Sequence, residues 1–395
     1  MKKIKNILIL SCCISILSGC WDSNEPERLI YANGLGIDYK NGKVIVYLQI
    51  INMRGLAKSE AGGDPSSFSS ADVGKASGST LDEAIFNLYH TADRRVYWGH
   101  ISFVIFSEEA IKTGGLKYTA DFLDRYRETR YRIFFFMTKD SIKDAMLISP
   151  IENVSVAFSK LSDPDDNYKQ SSFIPPINLR EIIINIDEPA HQVAIPQLKL
   201  TEQWNSQEKK KKDLLMETVA IISENKIKAI LPKKMLNGGR WFNKDFVRDN
   251  LTIFPETKND VFVVIYDKKN KITPVIEKNG KVRFDIKMKV KASVEMLIKG
   301  ATRDQYEKEI KRAIKKEIKT TYQYTQKRDI DLFRLSEKLY REDIKAWKKV
   351  ETNGRIPLEE DTLRSIQIDV QIQDTGKHRL TPIFEGQRDK GWENQ

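Results

Sequence analysis

Cysteine is scarce in this sequence: the 395 residues hold three, Cys12, Cys13 and Cys20, all within the first twenty. With the stretch before Cys20 removed, as argued below, one cysteine remains, which excludes an intramolecular disulfide and any cysteine-based zinc or iron–sulfur site in the body of the chain. A fold exported without disulfides must be held by its hydrophobic core. Histidine is also rare, and His90, His100, His191 and His378 are scattered, with no His-x-x-x-His pair and no acidic neighbour at metal-ligand spacing. After residue 20 no apolar run reaches the roughly 18 residues that a membrane-spanning helix requires. Walker A, G-x-G-x-x-G, G-x-S-x-G and EF-hand patterns are all missing. Asp163, Asp165 and Asp166 around Pro164 lack the Gly and terminal Glu of a calcium loop, and read as a solvated turn. No catalytic residue, cofactor or metal site is expected, and the chain does not read as an enzyme.

What is present begins at the first residues. Lys2, Lys3 and Lys5 form a basic start and Ile7 to Leu17 an apolar run, which is the anatomy of an export signal. A helix of that length, rising about 1.5 Å per residue, is too short to cross a hydrocarbon core about 30 Å thick. Leu17-Ser18-Gly19-Cys20 has the form of a lipobox, so residues 1–19 are expected to be cleaved and Cys20 to carry a diacylglyceryl group. The competing reading is an ordinary signal peptide with a chance cysteine after an Ala-x-Ala-like site. Dual acylation matters because each buried methylene contributes about 0.8 kcal/mol and one chain alone binds only reversibly.

Cleavage would remove 19 of 395 residues and leave 376, enough for two or three domains at about 150 residues each. The formal charge of +11 includes the three leader lysines, leaving +8. On an exported chain such an excess suits an anionic lipid surface or an acidic partner better than nucleic acid, although interspersed Asp and Glu make a solvated lysine-rich surface the simpler reading.

Along the body, Ile30–Asp38 and Lys43–Ile50 flank Asn41-Gly42 as a hairpin, and residues 55–79 are Gly-, Ser- and Ala-rich with Asp64-Pro65, composition that predicts a mobile loop. Thr80 and Glu83 have capping-box spacing ahead of an apolar stripe through Ala84, Ile85, Leu88, Tyr89 and Ala92. Ile101–Phe106 and Tyr131–Met137 read as buried strands, with Phe134, Phe135 and Phe136 as core, and helical stretches between them break at Gly114-Gly115. The charge run Glu208 to Asp213 predicts a solvated loop and a soft domain boundary, followed by paired strands at Thr218–Ser223 and Ile227–Leu231. From Val282 to Met296 apolar residues alternate, as in a long strand with one buried face. Thr302 and Gln305 cap a helix striped by Tyr306, Ile310, Ile314 and Ile318, and Ile366 to Ile372 alternate again as a late strand expected to rejoin the long one. The expected fold is α+β and multi-domain, with mixed sheets packed with helices. Its predicted parts are a signal peptide at 1–19, an N-terminal domain at 20–205, a small middle module at 206–254 and a helix-on-antiparallel-sheet domain at 255–385.

The lipobox followed by Trp21-Asp22-x-x-Glu25, then Gly34-Leu35-Gly36-Ile37-Asp38, resembles the Ger(x)C family of spore germination lipoproteins, the C subunits of GerA-type nutrient germinant receptors. The likeness continues through Gly78 to Ile85, Trp98-Gly99-His100-Ile101, Phe122-Leu123 with Arg125 and Arg130, Glu217–Ile222 with Ala229–Leu231, and Lys327 to Ile330 with Trp347. The stretch after Arg125 and the segment Val219-Ala220-Ile221-Ile222 depart mildly from the family pattern. The resemblance implies a noncatalytic subunit, lipidated at Cys20 on the outer face of the spore inner membrane, which assembles with integral-membrane A and B subunits. It implies no nucleic acid and no direct small-molecule ligand, germinant binding being attributed mainly to the B subunit. The alternative from another class, a solute-binding lipoprotein of a transporter, requires two similar α/β lobes, and no internal duplication is visible.

Overall fold

The computed structural model describes residues 28–51, 71–151, 155–206, 209–223, 226–254, 261–294 and 302–373. In chain order these form β1 (Leu29–Lys40), β2 (Lys43–Ile51), β3 (Ala71–Gly78), α1 (Leu81–Tyr89), β4 (Arg95–Tyr97), β5 (Phe103–Ser107), α2 (Glu108–Lys112), α3 (Gly115–Arg125), β6 (Phe134–Thr138), α4 (Ile142–Met146), α5 (Asp165–Gln170), α6 (Leu179–Asp187), β7 (Val193–Ser206), β8 (Lys209–Ser223), β9 (Lys226–Pro232), α7 (Lys233–Leu236), β10 (Asp249–Ile253), β11 (Val261–Ile276), β12 (Val282–Val294), α8 (Arg303–Gln326), α9 (Leu335–Glu342), α10 (Ile344–Val350) and β13 (Leu363–Ile372). The leader, Cys20, Trp21, Asp22 and His378 lie outside the described residues.

Nine strands make the first sheet, in the order β3-β2-β1-β5-β6-β7-β8-β9 with β4 beside β1. Its centre, β1, β5, β6 and β7, is parallel, and antiparallel hairpins flank it on both sides. Asn41 (φ 54°) and Gly42 (φ 76°) turn the predicted β1–β2 hairpin through the left-handed region that a two-residue hairpin loop demands. The triple phenylalanine is core, as expected, because the central strands are covered on both faces. Phe135 joins the layer under α1, α3 and α6, while Phe134 and Phe136 point to the opposite layer with Ile142, Met146 and Leu161. Gly34 and Gly36 face that second layer. A Cβ at Gly34 would fall 2.1 Å from the Phe103 ring and one at Gly36 would fall 2.4 Å from Ile142, which gives the Gly-Leu-Gly-Ile-Asp segment a steric reason.

The second sheet has the order β10-β11-β12-β13. The inward residues of β12, Phe284, Ile286, Met288 and Val290, meet Tyr306, Ile310, Ile314 and Ile318 of α8 in one core cluster. Thr302 and Gln305 cap α8 reciprocally, as their spacing predicts. At α1 the exchange is shifted by one residue: Thr80 accepts from the Glu83 amide, but the Glu83 carboxylate reaches back to the Ser79 amide at 2.6 Å.

Four expectations need correction. Residues 71–78, read as part of a mobile loop, form edge strand β3, because β2 supplies a complete antiparallel ladder that small residues can occupy. The lysine run from Lys209 to Lys212 lies within β8, where Lys210 stands opposite Asn205 of β7 and pairs with Glu202 at 3.9 Å, and Lys212 reaches Asp144. The segment read as a middle module contributes β8 and β9 to the first sheet. Finally, β10, β11 and β12 are antiparallel as expected, but β13 joins β12 in parallel, since the intervening helices return the chain to the end of the sheet from which β12 started.

Candidate functional site at the junction of the two sheets

Buried chemistry concentrates where the two sheets meet. An apolar plug of Val219, Ile221, Leu231, Leu236 and Ile330 fills the centre of the contact. Beside it, Gly238-Gly239 lets the segment before β10 lie directly on α8: the Gly238 amide donates to Thr321 Oγ1 at 2.9 Å, and a Cβ there would strike the Glu317 carbonyl at 2.5 Å. This contact delivers Arg240 into the interior.

The Arg240 side chain is 5% exposed and its guanidinium bridges two carboxylates. Nη1 donates to Asp249 Oδ2 at 2.7 Å, and Nη2 donates to Glu317 at 2.9 and 3.0 Å. The Trp241 indole N–H adds a bond to Glu317 Oε2 at 2.8 Å, and Ser171 Oγ donates to Asp249 Oδ1 at 3.0 Å. Burial pushes the Glu317 carboxyl up, against the opposing pull of Arg240 and Trp241. A cavity of about 370 Å³ opens above this cluster, lined by Ser171, Pro196, Met216, Glu217, Lys233 and Asn237 among others.

A second cluster ties the start of β7 to α9. His191 Nδ1 lies 2.8 Å from the Pro189 carbonyl, and its Nε2 lies 3.5 Å from Glu337 Oε2. Arg334 and Arg341 pair with the same Glu337 at 2.5 and 2.8 Å. Burial alone would raise the Glu337 carboxyl, but the neighbouring His191 ring and the two arginines outweigh it and bring it down to about 2. Arg341 also reaches Glu188 at 3.0 Å, and the Ala190 amide donates to the Gly354 carbonyl at 2.7 Å. At the far end of α8, Asp329 accepts from Lys228 of β9 at 2.5 Å and from Arg355 at 2.8 Å. Asp331 caps the start of α9 through the Leu335 and Ser336 amides, and its carboxyl is raised by burial.

These carboxylates are all engaged by cations or N–H donors, so the chemistry on offer is that of fixed counter-ions bracing two layers. Among the described residues no group of three His, Cys, Asp or Glu could hold a metal ion. Asp163 and Asp165 pair with Arg132, and Asp166 with Lys169. His100 is exposed and meets Tyr31 edge-on at 5.0 Å. From the sequence, His191 had no acidic partner; the structure supplies Glu337 from 146 residues away. Arg240, Asp249 and Glu317 carried no signal in spacing, because no local period connects a 3₁₀ turn, a strand and a distant helix. The residues that did carry the family likeness sit at structural duties: Trp98 is buried with its indole N–H on Tyr89 Oη at 2.8 Å, Trp347 donates to Ser336 Oγ at 3.2 Å, and Asp329 clamps the junction.

Known proteins share this architecture. Residues 22–200 match the domain described as spore germination protein N-terminal domain, and residues 217–376 match the domain described as spore germination B3/GerAC like, C-terminal. The chain is 23% identical to spore germination protein KC of Bacillus subtilis (strain 168) over 387 residues, covering 93% of each. The crystal structure of the GerBC protein superposes with a TM-score of 0.51 at 16% identity, covering 86% of this chain and 96% of that one, and so shares its fold. The two matched domains together span most of the sequence, and the chain belongs to the Ger(x)C family of spore germination proteins, the C-subunit family of germinant receptors. No described helix is long and apolar enough to cross a membrane.

Proposed function

We propose that this chain is the noncatalytic, lipid-anchored C subunit of a nutrient germinant receptor, held through diacylglyceryl-Cys20 on the outer face of the spore inner membrane and assembled there with integral-membrane A and B subunits. The observation that carries the reading is the coincidence of a lipobox ending at Cys20 with a germination-family match that starts two residues later, at residue 22. The junction supports a scaffolding role: its charged groups are used against one another, and none is paired as nucleophile and base. A solute-binding role would call for two similar lobes around a cleft, whereas the two sheets here have nine and four strands in unrelated orders. Cys20→Ala is expected to block lipid attachment and signal cleavage, as read by intact-mass measurement of membrane-extracted protein. Deletion of the chain should abolish or slow the response of spores to particular nutrients. Wild-type protein that proves soluble and unmodified would refute the anchor. Spores lacking the chain with unchanged nutrient responses would refute the receptor role.

A further inference from the structure

The face of the second sheet turned away from α8 carries an arrangement that costs stability. A bulge between Ile265 and Asp267 resets the alternation of β11, so that Lys268 turns inward and Lys269 and Lys271 turn outward. Directly across, on β12, stand Lys289 and Lys287: Lys269 faces Lys289, and Lys271 faces Lys287. Like charges directly opposite in a ladder repel. The next strand places Gln367 beside Lys287 and Asp369 beside Lys289, so these two rows hold four lysines and one carboxylate. All four lysines are exposed, and among the described residues none has an ion-pair partner. The contrast with Lys210 and Lys212 of β8, which form ion pairs with Glu202 and Asp144, is direct. Farther along the same face Phe262 is 48% exposed.

We infer that this face is a contact surface for an anionic phospholipid membrane. Repelling charges kept together are relieved by a negative counter-surface, and each basic residue near such a surface gains affinity that falls with salt. The shape favours lipid over a protein partner. The lysines stand in a row on the outward sheet face, with Lys271 at one end bordering a cavity that also holds Asp245 and Glu337, and lysine is depleted where proteins bind one another, whereas diffuse headgroup charge asks only for point charges on flexible stems. An exposed phenylalanine at the other end of the same face suits the headgroup boundary. This attachment is separate from the Cys20 anchor, which is indifferent to headgroup charge.

The test is flotation of the purified full-length chain with vesicles of phosphatidylcholine alone against vesicles containing one-quarter phosphatidylglycerol, so that the anchor contributes equally to both. Wild-type protein should prefer the anionic vesicles, and that preference should weaken as salt is raised. The combined variant Lys269→Gln, Lys271→Gln, Lys287→Gln and Lys289→Gln should lose the preference by up to on the order of a thousand-fold. The matching Lys→Arg variant should keep it, and a circular-dichroism melt of the Gln variant should lie at or above wild type, since repulsion has been removed. A Gln variant that retains the wild-type preference overturns the assignment. So does a wild-type chain that ignores phosphatidylglycerol, whether or not it binds soluble polyglutamate.

Discussion

Replacing Arg240 with methionine tests the reading of the junction most directly. The change keeps an unbranched chain of similar length in the site but removes the bonds of 2.7, 2.9 and 3.0 Å to Asp249 and Glu317. It leaves two carboxylates, 3% and 18% exposed, without their shared cation. An exposed pair would contribute at most about 1 kcal/mol, but breaking a buried one costs about 3–5 kcal/mol because the surviving charge stays desolvated. Urea unfolding followed by near-ultraviolet circular dichroism is a suitable assay, since Trp241 is fully buried and bonded to Glu317. A loss of this size corresponds to roughly 6–20 °C in melting temperature for a domain of this scale. The sign of the pH dependence is also determined. Burial already pushes the Glu317 carboxyl up while Arg240 pulls against it, so without Arg240 it is raised further, the case in which stability is present at low pH and lost as pH rises through the folded pKa. The deficit of the variant should therefore be largest at neutral pH and shrink in acid. A variant within about 1 kcal/mol of wild type at pH 7, or a deficit that grows in acid, would refute the argument.

Two further predictions concern the same junction. Glu337, held down at about 2 against its ordinary 4.5, contributes stability that is fully present above about pH 4.5 and is lost as pH falls toward 2, so Glu337→Gln should be less stable than wild type at pH 7 and converge with it near pH 2 in thermal melts. Gly238→Ala drives a methyl group into the backbone of α8 at Glu317 and Ile318 and should cost about 1–3 kcal/mol in chemical unfolding; an unchanged unfolding midpoint would show that the two segments are not in contact.

Where the physics is local, the sequence shows it plainly. The alternation from Val282, the stripe of Tyr306, Ile310, Ile314 and Ile318, the Asn41-Gly42 turn and the Thr302–Gln305 cap each depend on neighbours within a few residues, and each appears as expected. The departures arise where a distant partner decides. Ala71–Gly78 has the composition of a loop and becomes a strand because β2 offers a ladder, and the lysines of β8 look solvated until Glu202 and Asp144 are placed beside them. The direction of β13 follows from where three helices return the chain, which alternation cannot report. The junction was the least legible part, since Arg240 meets Glu317 across 77 residues and His191 meets Glu337 across 146. Cys20 is the reverse case: a motif legible in sequence whose position lies outside the described residues.

The magnitudes also bear on how the two sheets move. Helix α8 belongs to the core of the second sheet through its buried stripe, yet Thr321 and Glu317 hold the segment that leads out of the first sheet, and Asp329 just beyond its end accepts from Lys228 of β9. Rotating one sheet against the other would leave the Arg240 pairs intact, since Asp249 and Glu317 both belong to the second layer, but it would break the Ser171–Asp249 bond and expose the apolar plug at about 25 cal/mol per Å². The exposed pairs nearby, Arg341–Glu188 and Lys228–Asp329, contribute at most about 1 kcal/mol each and would adapt to either arrangement. The buried terms decide the balance, and they favour a single arrangement of the two layers.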